Sequence, residues 1–309
     1  MSGLIALDWG TSSLRAMRMS EGGEILETRR QPWGIRQLPE GGFAGAMNAI
    51  TEGWPALTRI ASGMIGSRSG WREVAYLDLP ANGEKLADAL DIRDGLTIVP
   101  GMRNARGPDV MRGEETQIVG LMAQYEAAAD ATVLLPGTHS KWVSLRQGAV
   151  VDFCTLMTGE LFALLRNHSI LAAGIDAETA AVDNEAFLDG VRQARDSGAA
   201  GAFTRLFATR AKMLDGVLKP ASIPDYLSGL LIGEEFRSIQ ADQRMRTDKP
   251  LWLIGDAALC ARYRLAATEF SIALAPAVDD TAAAGLWWLA RAASLLEVTT
   301  PLSANGVSP

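Results

Sequence analysis

At 309 residues, with 48% apolar and 21% charged side chains, the chain has the balance of a folded protein with room for two domains. Its net charge of −7 excludes a nucleic-acid binder that relies on a basic face; small anionic ligands need only local positive groups. Two cysteines, Cys154 and Cys260, are too few for a disulfide framework or a thiolate metal cage and fit a reducing cytoplasm. No basic stretch precedes the first apolar run, so no signal peptide is expected, and no uncharged apolar run approaches the ~20 residues of a membrane helix.

In chain order, "GLIALDW", "LRAMRMS" and "EILETRRQ" predict three short strands in an antiparallel meander with Gly-containing turns. "FAGAMNAITEGWPAL" predicts an amphipathic helix that Pro55 ends or kinks. "RIASGMIGS" and "LTIVPGMRN" read as buried strands running into glycine loops, with a short helix, "ANGEKLADALD", between them. A further helix starts near Gly113 and runs through "EETQIVGLMAQYEAA". A second meander follows: "ATVLLPG", the turn "THSK", "WVSLRQG" and "AVVDFCTL". Helices dominate 158–245; then "PLWLIGDAALCARYRLAA" reads as strand, tight turn and helix, and "FSIALAPAVDDTAAAGLWWLA" repeats that order. The tail "TTPLSANGVSP" is expected to fray. This order means α/β, with two domains of related topology and a boundary near 110–130.

The chain has no Walker loop, no G-x-G-x-x-G, no H-E-x-x-H and no G-x-S-x-G, and only two histidines, His139 and His168. Each meander instead carries Gly-Thr at its first turn. A tight turn of Gly, Thr and Ser can aim several N–H groups at one anionic oxygen. Asp8, at the end of the first strand, is suited to Mg²⁺, directly or through water. "LWLIGDAALCARY" places backbone at the end of a strand against a helix N-terminus, a usual place for a nucleotide base or ribose.

This order resembles the sugar kinase–actin–Hsp70 superfamily: phosphate hairpin, connecting helix, second phosphate hairpin, adenosine turn, second connecting helix. Within it, the chain resembles the 2-dehydro-3-deoxygalactonokinase family nearly end to end, through "ALDWGTSSLRA", "GMIGSRSGW", "VMRGEETQ", "PGTHSKWV", "FCTLMTGELF", "NHSILAAG", "LSGLLIGEE" and the "ARY" of the adenosine turn. The resemblance implies an actin-like ATPase fold with two ribonuclease H-like lobes around a cleft. Residues 1–115, completed by a helix at 281–298, would form one lobe and 116–280 the other. It further implies ATP- and Mg²⁺-dependent phosphorylation of the 6-hydroxyl of 2-dehydro-3-deoxy-D-galactonate, in the cytoplasm, with no nucleic-acid or membrane partner and a homodimer as an option. The alternatives are a kinase of another 2-keto-3-deoxy sugar acid, such as the gluconate form, an acid-anhydride hydrolase, or a non-catalytic regulator on the same fold. A regulator would carry an N-terminal helix-turn-helix, for which the first strand leaves no space.

By the same resemblance, Asp8 anchors the metal, Gly10, Thr11, Ser12 and Arg15 meet phosphate oxygens, Gly137 and Thr138 close on them from the second domain, and Gly255 and Asp256 form the adenosine turn. Glycerol and xylulose kinases carry their base as an aspartate just after glycine, at the start of the helix before the second hairpin. The matching position here is Glu114, a departure, with Glu115 beside it and Asp109 in reserve. Consecutive helical residues point ~100° apart, so one of the two glutamates faces the site; helix-dipole complementarity is their alternative role. A carboxylate substrate calls for a fixed cation, Arg112 or Arg68, with Ser67 adding a hydroxyl and Trp71 a flat wall; Trp33 reads as core or as part of the same pocket. His139 and Lys141, in the second hairpin, are candidates for substrate or phosphate, although a lysine opening a strand is usually exposed. Thr158-Gly159-Glu160 reads as a helix start, His168 as a helix end, and Asp279 and Asp280 as caps of the last helix, with support of the metal across the cleft as the alternative for one of them.

Overall fold

The computed structural model describes residues 3–172, 182–243, 248–278 and 280–296. It divides into two compact units, one formed by 1–103, 110–124 and 281–309, the other by 104–109 and 125–280.

The first unit is built on a six-stranded sheet in the order β3-β2-β1-β4-β8-β7. The meander forms as the alternation predicts: β1 (Gly3–Trp9), β2 (Leu14–Ser20) and β3 (Ile25–Gln31) pair antiparallel. β4 (Thr58–Ser62) then joins β1 in parallel, and β7 (Asp91–Arg93) and β8 (Leu96–Ile98) close the far side. The β1–β2 register sets Asp8 opposite Arg15. β5 (Leu77–Asp78), β6 (Ala81–Asn82), β9 (Met102–Asn104) and β10 (Asp109–Met111) are short strands of two or three residues. Helix α1 (Gly42–Ile50) ends well before Pro55, and α2 (Gly83–Asp88) starts at Asn82, whose side chain accepts the Lys85 N–H at 3.0 Å.

Two distant stretches complete this unit. Helix α3 (Glu114–Gln124) crosses the last helix, α9 (Ala282–Ala292), so closely that a Cβ on Gly120 would strike the Thr281 carbonyl and one on Gly285 the Thr116 carbonyl. Thr281, not Asp280, holds the N-cap position of α9, and its hydroxyl donates to the Gln117 carbonyl at 2.8 Å rather than to its own helix. Asp279, the other expected cap, lies outside the described residues.

In the second unit β11 (Thr132–Leu135), β12 (Ser140–Arg146) and β13 (Ala149–Leu156) form the second antiparallel meander, and β14 (Leu251–Leu253) pairs in parallel with β11. Five helices accompany it among the described residues: α4 (Thr158–His168), α5 (Asn184–Arg195), α6 (Ala208–Leu214), α7 (Ile223–Ala241) and α8 (Ala257–Glu269). The core between sheet and helices gathers Leu134, Trp142, Phe187, Phe236 and Tyr263, with Trp142 edge-on to Phe236 at a centroid distance of 5.3 Å.

One expected strand is absent. "FSIAL" contributes a single bridge, Leu274 to Leu251, flanked by the Leu251 N–H donating to the Ala273 carbonyl and the Ala275 N–H donating to the Leu251 carbonyl. Its partner β14 is only three residues long, and Pro276 has no N–H with which to continue a ladder.

Candidate active site

In the first unit the β1–β2 turn is narrow. Gly10 N–H closes it on the Ser13 carbonyl at 2.9 Å, and the segment after β3 buttresses it through Ile35 N–H to Gly10 O (3.1 Å) and Arg36 N–H to Thr11 O (3.3 Å). That support needs Gly34, where a Cβ would run into the Thr11 carbonyl and the Ser12 nitrogen. The carbonyls of Gly10, Thr11 and Ser13 are thus occupied, whereas no hydrogen bond of the described residues takes the N–H of Thr11 or Ser12. Unused N–H groups at a fixed turn suit an anionic oxygen. Trp33, half-buried, packs on the core cluster and receives the Trp9 indole N–H on its carbonyl at 2.8 Å, the core role of its two readings.

Asp8 Oδ2 accepts from Arg15 Nη2 at 3.0 Å, while a third of the side chain stays exposed. Among the described residues no group of three or more His, Cys, Asp or Glu could cage a metal. One partly exposed carboxylate with a free oxygen is nonetheless the donor set Mg²⁺ uses when phosphates and water supply the remaining ligands, so Asp8 fits that ion.

The start of α3 brings three ionisable side chains close in sequence. Gly113, at φ +112°, turns the chain so that both glutamates can reach back over it. Glu114 is half-buried, and its Oε2 accepts the Arg112 N–H at 3.0 Å. Glu115 is fully buried and accepts the Gly113 N–H with both carboxylate oxygens, at 2.9 and 2.7 Å. Burial, reinforced by the neighbouring Glu114 charge, pushes its carboxyl up to about 8. Arg112 is 9% exposed; Nη2 donates to the Val74 carbonyl at 2.7 Å, and the guanidinium lies 4.3 Å from the Tyr76 ring centroid. Its Nε and Nη1 are buried with no partner. Nη1 occupies the space a side chain at Gly66 would need, and the next residue, Ser67, carries another buried, unpartnered hydroxyl. Two unsatisfied donors on one buried guanidinium call for an acceptor such as a carboxylate. Arg68 is exposed and stands outside this group. Trp71 is 38% exposed and stacks on Phe43 at 5.8 Å, edge-on to Trp9 at 6.2 Å.

In the second unit the Gly137–Thr138 turn sits against the start of α4. Glu160 N–H donates to the Thr138 carbonyl at 3.0 Å, and Gly159 approaches the Gly137 carbonyl too closely for any Cβ. His139 Nε2 and Glu160 Oε2 pair at 2.5 Å across an exposed edge. Lys141 is not solvated, as a lysine opening a strand usually is: it is 5% exposed and donates to Thr155 Oγ1 at 2.7 Å, away from the turn. Asp109 is occupied as well, accepting from Thr155 N–H and Oγ1 at 2.6 and 2.7 Å. Asp256 caps α8 by accepting the Leu259 N–H at 3.0 Å; Gly255 precedes it at φ +155°.

Beside the Gly137–Thr138 turn lies a cavity of ≈ 460 Å³ within this unit, lined by Gly137, Thr138, Thr158, Gly159, Phe162, Arg166, Asp225, Arg262 and Tyr263 among others. Its size is that of a small-molecule or cofactor site. Arg262 is ion-paired with Asp225, and its guanidinium lies 5.1 Å from the Phe187 ring centroid. Tyr76, Gly34 and the Asp225–Arg262 pair were not legible in the sequence. Each acts through a partner distant along the chain, and only "PWGI" and "ARY" marked their neighbourhoods.

Known proteins place this arrangement. The family model of 2-keto-3-deoxy-galactonokinase matches residues 8–289. A Rhizobium meliloti (strain 1021) protein assigned as a 2-dehydro-3-deoxygalactonokinase is 37% identical, over 93% of this chain and 96% of its own length. The 2-dehydro-3-deoxygalactonokinase of Escherichia coli (strain K12) is 33% identical, over 90% and 94%. A crystal structure from Sinorhizobium meliloti with the same assignment superposes with a TM-score of 0.85 at 37% identity, covering 94% of this chain and 98% of that one. At the level of fold alone, a xylulose kinase from Lactobacillus acidophilus matches with a TM-score of 0.51 at 11% identity, covering 96% and 90%. The architecture is the actin-like ATPase and sugar kinase fold.

Proposed function

The chain belongs to the 2-keto-3-deoxy-galactonokinase family and is a carbohydrate kinase, and from that premise we propose that it transfers the γ-phosphoryl group of ATP to the 6-hydroxyl of 2-dehydro-3-deoxy-D-galactonate. The observation that carries the substrate assignment is Arg112. A buried guanidinium with two unpartnered N–H-bearing nitrogens is suited to a substrate carboxylate, and Tyr76 holds it from one face.

Glu114 is the base in this reading. It accepts the 6-hydroxyl proton as that oxygen bonds to the γ-phosphorus and ADP leaves; the proton then passes to solvent. Its neighbour supports the assignment by contrast, since Glu115, held near 8, carries its own proton at neutral pH and is committed to Gly113. In the second unit the Gly137–Thr138 turn receives phosphate oxygens and the cavity beside it the nucleoside; in the first unit the Thr11 and Ser12 N–H groups suit an anionic oxygen. Mg²⁺, held by Asp8 together with ATP phosphates, would neutralise charge on the transferred group. Arg15 orients Asp8 for that task.

Among the described residues no helix is long and apolar enough to cross a membrane. A cytoplasmic location fits a kinase that draws on ATP and carries only two cysteines.

The test is ADP release over a panel of 2-keto-3-deoxy sugar acids. Release that depends on 2-dehydro-3-deoxygalactonate is expected. Release at the same rate without any sugar acid would make the protein a hydrolase and overturn the reading.

A further inference from the structure

Glu235, from the "LSGLLIGEE" stretch, is a buried acid to which the phosphoryl transfer gives no task. Its side chain leaves α7 with 1% of its surface exposed. Oε1 accepts the Trp142 indole N–H at 2.7 Å, and Oε2 accepts both the Tyr263 hydroxyl at 2.7 Å and the Thr158 hydroxyl. The three donors come from β12, α8 and the first residue of α4. Among the described residues no cation pairs with this carboxylate, and burial pushes its carboxyl up against the pull of those bonds. A buried acid held by hydrogen bonds alone is costly compared with an apolar residue of similar size, so what it arranges needs an explanation.

What it arranges is the wall of the cavity. Tyr263 donates to Glu235, and Ser140 Oγ lies 3.0 Å from the Tyr263 oxygen, which ties the start of β12 to the same hydrogen-bonded group. Ser140 opens β12 directly after the Gly137–Thr138 turn. Thr158 opens α4, whose next two residues rest on that same turn, Gly159 against the Gly137 carbonyl and Glu160 through its N–H to the Thr138 carbonyl. Thr158 and Tyr263 line the cavity, whereas Glu235 stands behind them.

We propose that Glu235 is a positioning residue for nucleotide binding: by accepting from Thr158, Tyr263 and Trp142 it holds the α4 N-terminus, the α8 wall and the Gly137–Thr138 turn in one register. The inference rests on the reading of this cavity as the nucleotide pocket. The experiment therefore measures ADP binding by calorimetry with no sugar acid present, alongside KM for the sugar acid at saturating ATP.

Glu235→Gln keeps the volume but forces the hydroxyl donors to reverse, and Thr158→Val removes one of them. Each is expected to weaken ADP binding by about tenfold, the size of a lost buried hydrogen bond, with KM for the sugar acid held. Thr158→Ser, which restores the hydroxyl, is expected to recover the affinity. Unchanged ADP affinity in folded Glu235→Gln and Thr158→Val would overturn the proposal, as would equal losses for ADP and sugar acid, the mark of a general packing defect. Should Glu235→Gln not fold, Thr158→Val against Thr158→Ser, together with Tyr263→Phe, decides the matter. A wild-type protein that binds no ADP would overturn the nucleotide reading itself, a result distinct from variants that bind as well as wild type.

Discussion

Glu115 grips the backbone N–H of Gly113 with both carboxylate oxygens, from a position with no solvent exposure. The bond ties down the turn that presents Glu114 and Arg112. Burial holds the Glu115 carboxyl near 8, above its ordinary 4.5. A raised folded-state pKa means that the folded protein binds the proton more tightly than the unfolded chain. The associated stability is complete below about 4.5 and is lost as pH rises through about 8. Relative to Glu115→Gln, which cannot ionise, the wild type should therefore lose stability across that window, at up to ~1.4 kcal/mol per pH unit. Thermal melts of the two proteins between pH 5 and pH 8.5 (about the span of the shift) check this. A difference in Tm that does not change with pH would show Glu115 already ionised.

Glu114→Gln should lower kcat by about 10²- to 10⁴-fold, the range for loss of a general base, and leave ADP affinity intact. Steady-state kinetics with calorimetry separates the two. Asp109→Asn should lower stability instead, since both its oxygens are engaged by Thr155.

Arg112→Lys should raise KM for the sugar acid by roughly ten- to a hundredfold, because an ammonium cannot reproduce the Nε and Nη1 donors or the stacking on Tyr76. A substrate analogue with its carboxylate reduced to an alcohol should be poor for the wild type and suffer little further loss in the variant. Comparing the two KM ratios tests whether the guanidinium meets the carboxylate.

Gly159→Ala should weaken ADP binding by about tenfold or more even though alanine is the better helix former. The new Cβ has nowhere to go but into the Gly137 carbonyl, and relieving that overlap displaces the turn. An unaffected ADP affinity would show that the turn does not touch the nucleotide.

Asp8→Asn should raise the Mg²⁺ concentration needed for half-maximal activity and lower kcat, since an amide is a weaker ligand for a hard cation and leaves Arg15 without its carboxylate. A Mg²⁺ titration of activity at fixed ATP measures the shift.

The sequence by itself determined the two meanders, their Gly-Thr turns and the helix opening on Gly113-Glu114-Glu115. These are written in local patterns: period-two alternation for strands, glycine where a turn must be tight, acids at a helix start. It also carried the family, because "MRGEETQ" and "PGTHSKWV" are contiguous runs. It did not foresee that "FSIAL" would form only one bridge, since strand pairing depends on the length of a partner far away in the chain. Nor did it separate the two adjacent glutamates. Only the tertiary structure decided that Glu115 is sealed in with its carboxyl pushed up while Glu114 stays half-exposed, that Lys141 turns to Thr155, and that Arg112 is buried with donors unspent. The physical reason is common to all three. A side chain's charge state and availability are set by desolvation and by partners brought from elsewhere in the fold, and neither is encoded in the residues next to it.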